Sequence, residues 1–143
     1  MATTSRATAM WEGKLKDGRG NFKAASGAFS GAYTFATRFE GAKGTTPEEL
    51  IAAAHAACFS MALSAGLERA GTPATRIETR AECTIDTVSG APKITTIALS
   101  VRGKVAGVDQ AKFQKAAEDA KAGCPVSKLF AGNAQITLEA KLE

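Results

Sequence analysis

The sequence predicts an α+β fold of mainly antiparallel strands around a buried central helix, and three features point to it. A long apolar stretch, Leu50 to Leu67, follows a strong helix-start signal at Thr46. The run from Ile77 to Asp86 alternates apolar and polar residues with the period of a half-buried strand. Strands, a long helix, further strands, a second helical region and a closing strand follow in order, which suits helices packed on an antiparallel sheet.

Each element has its own local reason. Thr8 to Leu15 and Gly20 to Ala24 flank turn residues at 16–19 and read as a β-hairpin. Ala25 to Ala32 is rich in Gly, Ser and Ala and reads as loop. Tyr33 to Phe39 alternates aromatic with small or polar residues, which predicts a strand with Arg38 on the face opposite Tyr33, Phe35 and Phe39. Thr46 at the cap, Pro47 at the first helical position and Glu49 at the third form a capping box, and the helix then continues toward Gly71 and Pro73. That helix is apolar nearly all round, the mark of a buried central helix, and its alanines permit close packing by another helix. Ile77, Thr79, Ala81, Cys83 and Ile85 share one face of the next strand. Ser89 to Pro92 turns the chain into a strand from Lys93 to Val105. Asp109 caps a helix that runs to Gly123, Pro125 opens a short new turn, and Gln135 to Leu142 closes the fold as a strand.

With 143 residues and 45% hydrophobic content, the chain 1–143 has the size of one domain with one core. The net charge of +4 comes from 18 basic and 14 acidic residues scattered singly, with few aromatics, so a nucleic-acid surface is not expected. The N-terminal residues carry no apolar leader, and no apolar run is read as reaching membrane-spanning length, so a cytoplasmic protein is expected. Three cysteines, an odd number, argue against a disulfide-stapled scaffold and suit a reducing compartment in which a disulfide is transient and functional.

Two cysteines stand out. Cys58 lies inside the Ala-rich helix, where it serves equally as a small core hydrophobe or as a reactive thiol. Cys124 lies 66 positions later between Gly123 and Pro125, where the free N–H groups of a helix start would favour a thiolate. The low pKa expected there does not decide which sulfur attacks first, since a more acidic thiol is also the better leaving group. Cys83 belongs to the core by its strand face.

Glu49 has a capping duty, which leaves Glu48 without a structural one; it reads as a solvated carboxylate near the helix dipole or as part of a site. Arg38 reads as an exposed strand charge or as a cation for that site. Ten residues of helix separate Glu48 from Cys58, roughly 15 Å at ~1.5 Å per residue. If Glu48 serves Cys58, it serves that of a partner subunit in a symmetric dimer. His55, the single histidine, sits three residues before Cys58 and could belong to the core, to a Cys–His pair or to a metal site.

Arg38 to Gly41, Gly44 to Ile51, His55 to Ala62 and Lys121 to Ser127 together resemble the OsmC/Ohr family of osmotically inducible and organic hydroperoxide resistance proteins. The likeness extends from Ala9 to the final strand, and the His55-Ala-Ala-Cys58-Phe59 segment favours the OsmC branch. The resemblance implies an OsmC-like fold in an intertwined homodimer with two interface sites. It also implies a thiol-dependent peroxidase that reduces organic hydroperoxides without metal, haem or other cofactor. By this resemblance Cys58 is the peroxidatic thiolate, Cys124 resolves it as a Cys58–Cys124 disulfide, Arg38 stabilises the thiolate and polarises the peroxide, and Glu48 holds Arg38. An external dithiol, such as a lipoyl group, would reopen the disulfide. The alternative is a stress-related ligand-binding protein of the same fold with slowly reacting cysteines, and a Cys–His hydrolase is a third reading.

Overall fold

The computed structural model describes all residues, Met1–Glu143. They divide into two compact units, residues 1–47 and 48–143.

In the first unit β1 (Ala7–Glu12), β2 (Arg19–Ala24) and β3 (Ser30–Tyr33) form an antiparallel sheet in the order β1-β2-β3. The expected hairpin is present as β1 and β2. One face is ordered by aromatic rings: the Trp11 and Tyr33 centroids lie 5.5 Å apart, and those of Phe22 and Tyr33 6.0 Å. Gly20 sits beneath them, where a Cβ would lie 2.6 Å from the Tyr33 ring, so only glycine fits.

Two expectations fail in this unit. Part of the stretch read as loop is β3, because Gly31 gives the Phe22 ring room to lie across the strand: a Cβ there would come within 2.7 Å of it. The segment read as a strand through Arg38 is instead a short helix, α1 (Phe35–Phe39). Thr34 caps it: the Thr34 hydroxyl accepts from the Thr37 N–H at 3.1 Å, and the Thr37 hydroxyl accepts from the Thr34 N–H at 2.9 Å. These reciprocal bonds satisfy two end donors that a strand would have left to a neighbour.

The second unit begins within α2 (Pro47–Arg69) and continues through β4 (Ala74–Val88), β5 (Ala91–Val105), α3 (Gln110–Gly123), α4 (Pro125–Phe130) and β6 (Gln135–Leu142). β4 and β5 are a long antiparallel hairpin whose turn residues Ser89 and Gly90 both have positive φ, 51° and 79°, as a two-residue turn matching strand twist requires. β6 lies parallel to β5, and α3 with α4 makes the crossover that a parallel pair needs. Gln110 fastens the start of α3 to β6, donating to the Ala140 carbonyl at 2.9 Å and accepting from the Leu142 N–H at 2.8 Å.

The core of this unit joins Phe59, Leu63 and Leu67 of α2 with Ile97, Leu99 and Val101 of β5 and Phe113 of α3. The alternation read for 77–86 holds throughout: Ile77, Thr79, Ala81, Cys83 and Ile85 are half-buried, and their neighbours are exposed. Two readings of α2 are corrected. At 23 residues, with an 18-residue stretch whose mean hydropathy is 1.7, it is long and apolar enough to cross a membrane by length and composition. In this chain it is also buried along one stripe only, Glu48, His55, Phe59, Leu63 and Leu67. Leu50, Ala53, Ala54, Ala57 and Met61 remain exposed, with Met61 at 76%.

Candidate active site

Cys58 projects from the middle of α2, half-buried, and Cys124 is fully buried at the junction of α3 and α4. Cys124 ends one helix, its N–H donating to the Ala120 carbonyl, and precedes the next, whose first residue is Pro125. Its backbone, φ −58° and ψ 127°, turns the chain sharply between two helices. A sulfur 66 residues away in sequence is thereby delivered to α2: the two Sγ atoms are 3.0 Å apart, and both thiols are free.

At that separation the two thiols are hydrogen-bonded, and their surroundings decide which sulfur gives up its proton more readily. Burial raises the Cys58 pKa, the neighbouring Cys124 thiol raises it further, and the Val126 N–H only partly opposes them. Burial also acts to raise the Cys124 pKa, but the bond from Cys58, the N–H and hydroxyl of Ser127 and the N–H of Val126 outweigh it, and the net shift is downward. Drawn with Cys124 as donor, the sulfur–sulfur bond would put the anion on Cys58. The dipoles of the first turn of α4 favour the reverse, with the Cys58 S–H donating to a Cys124 thiolate. The sulfur makes no formal side-chain cap of α4, so these are charge–dipole contacts, in keeping with the reading of Cys124 from Gly123 and Pro125.

His55 is fully buried one turn before Cys58, and its Nε2 lies 2.7 Å from the Ser127 hydroxyl. Nδ1 has no hydrogen-bond partner. Neither nitrogen therefore pairs with Cys58, which removes the Cys–His nucleophile reading. Burial lowers the His55 pKa, keeping the ring neutral, and the ring packs 5.9 Å from that of Phe130. Nowhere do three or more His, Cys, Asp or Glu side chains gather as a metal site would require.

Glu48 is buried, 5% exposed, in the first turn of α2. Its charge reaches Cys83, whose pKa is raised first by burial and then by that carboxylate. Arg38 occupies the last turn of α1, half-buried, with its guanidinium 5.2 Å from the centre of the Phe39 ring. Ser127 is the site residue that sequence reasoning gave no role. A serine in the first turn of a helix is commonplace, and its partner His55 lies 72 positions earlier.

The family model described as OsmC-like protein matches residues 40–139. The chain is 47% identical to Peroxiredoxin OsmC of Escherichia coli (strain K12), over 100% of this chain and 99% of that one. It is 34% identical to the organic hydroperoxide resistance protein of Xanthomonas axonopodis pv. citri over 68% of each chain. The crystal structure of the organic hydroperoxide resistance protein OhrB of Bacillus subtilis superposes with a TM-score of 0.79 at 28% identity, covering 97% of this chain and 98% of the other.

Proposed function

The chain belongs to the OsmC-like family, and on that premise we propose that it is a thiol-dependent peroxidase that reduces organic hydroperoxides through a Cys58 sulfenic acid and a Cys58–Cys124 disulfide. The observation that carries this reading is the pair of free sulfurs 3.0 Å apart, one on a helix face and one at a polar turn. Such a pair can trap an oxidised sulfur as soon as it forms.

The Cys58 thiolate attacks the distal oxygen of the hydroperoxide. The O–O bond breaks, the departing alkoxide takes a proton and leaves as the alcohol, and Cys58 keeps the other oxygen as a sulfenic acid. The Cys124 sulfur then displaces that hydroxyl, which takes the second proton and leaves as water while the S–S bond forms. A dithiol, for which a lipoyl group is the proposed form, reopens the bond and is itself oxidised to a disulfide. Every step uses sulfur and peroxide alone.

Arg38 is the proposed cation of this site. The dipoles around α4 favour the anion on Cys124, and a guanidinium beside Cys58 would draw it onto the attacking sulfur. Glu48 would hold that arginine. Its distance of roughly 15 Å along α2 from its own Cys58 supports service to a second copy of the chain. A homodimer would also cover Leu50, Ala53, Ala57 and Met61, the apolar side that α2 exposes here. The two units would then work as one functional domain, and a reducing compartment such as the cytoplasm would keep the cycle turning.

Turnover separates this reading from ligand binding. With cumene hydroperoxide and dihydrolipoamide, the wild-type protein should consume peroxide catalytically, Cys58→Ser should be inactive, and Cys124→Ser should lose disulfide-dependent turnover. Equal peroxide consumption by wild type and Cys58→Ser would contradict it.

A further inference from the structure

Resting on the peroxidase reading, we infer that His55 is a positioning residue for the second step: its Nε2–H holds the Ser127 hydroxyl so that the O–H faces the Cys124 sulfur. The Ser127 hydroxyl is the link: it bonds to His55, and its hydrogen bond to Cys124 lowers the pKa of that thiol. His55 Nε2 and Ser127 Oγ are 2.7 Å apart, both residues are buried, Ser127 lies three residues after Cys124 in the first turn of α4, and Cys124 meets Cys58 at 3.0 Å.

The orphaned Nδ1 fixes the direction of this chain. His55 is neutral in its buried setting, so one ring nitrogen carries hydrogen and the other does not. Were Nδ1 protonated, a buried N–H would have no acceptor and Ser127 would have to give its hydrogen to Nε2. With Nε2 protonated, the orphan is only a lone pair, and buried N–H groups without partners are the rarer arrangement. The second tautomer frees the Ser127 hydrogen for sulfur, where its stabilisation of the Cys124 anion is felt.

The chemical consequence falls on the resolving step. A Cys124 held as thiolate can displace the hydroxyl of the Cys58 sulfenic acid, forming the S–S bond as water leaves. Lowering a thiol pKa weakens its nucleophilicity, but only by about half of the gain in thiolate fraction on a logarithmic scale. Losing the Ser127 contact should therefore slow condensation near neutral pH by about three- to tenfold.

The test is a partition measurement on the full-length protein. Reduced protein receives one equivalent of cumene hydroperoxide in the presence of dimedone, and mass spectrometry gives the ratio of dimedone-trapped Cys58 to Cys58–Cys124 disulfide. That ratio reports condensation whatever the rate of the peroxide step. It should rise about three- to tenfold in His55→Leu and Ser127→Ala. The double variant should be no worse than Ser127→Ala, because the residues act in series. His55→Gln, which can present an N–H near the position of Nε2, should return the ratio toward wild type. A wild-type ratio in Ser127→Ala, a His55→Gln as impaired as His55→Leu, or additive single effects would each overturn the inference. If wild-type protein gives neither adduct nor disulfide, the peroxidase reading itself falls, and the inference with it.

Discussion

His55 shows how one buried residue ties stability to proton chemistry. Burial holds its pKa below the ordinary 6.5, so the unfolded chain binds a proton that the native state refuses. Its contribution to stability is therefore complete above pH 6.5 and is lost as pH falls from 6.5 toward the depressed native value. In urea denaturation, wild type should lose more unfolding free energy than His55→Gln between about pH 7.5 and about pH 5. Equal losses would contradict a buried neutral imidazole. At this scale the sequence disclosed the two sulfurs better than their surroundings. Gly123 and Pro125 frame Cys124 so closely in the chain that a helix end and a helix start are readable from three residues. Ser127 carries no such mark, because its part depends on a histidine 72 positions away that only the packing of α4 against α2 brings near.

Among the elements, β5 and α3 depend on each other through a single glycine. A Cβ on Gly103 would strike the Phe113 ring, which is fully buried in the core. Gly103→Ala should therefore destabilise the protein by about 1–3 kcal/mol through overpacking, read as a lower denaturation midpoint, and an unchanged midpoint would show that α3 can shift at no cost. β4 was legible because its face alternates without interruption from Ile77 to Ile85. α1 was not, because Phe35 and Phe39, four residues apart, satisfy the strand period as well as the helical one. The Thr34–Thr37 capping box that decides the matter has threonine where glutamate or glutamine is the recognisable sign. β3 was hidden for a different reason: Ser30, Gly31 and Ala32 have too little side chain to show a pattern, and the Phe22 ring supplies the packing instead. The pairing direction of β6 left no trace either, since a strand with one buried face alternates in the same way in parallel and antiparallel ladders.

For the molecule as a whole, one side of α2 packs against its own sheet and the other stays apolar and exposed, the side that the proposed second copy of the chain would cover. If Glu48 serves the Cys58 of that copy, mixed dimers carrying Glu48→Ala on one chain and Cys58→Ser on the other should retain one working site in two. Service within one chain would leave those dimers without any. Beneath this lies the central claim, that Cys58 and Cys124 are a peroxide-driven redox pair rather than two packed hydrophobes. It is tested most directly by intact mass under non-reducing conditions after one equivalent of cumene hydroperoxide, with peptide mapping. The account predicts rapid loss of two hydrogens, with Cys58 and Cys124 recovered in one linked peptide and Cys83 still a free thiol. Unchanged mass with all three thiols still free, or a disulfide that leaves out Cys58, would contradict it.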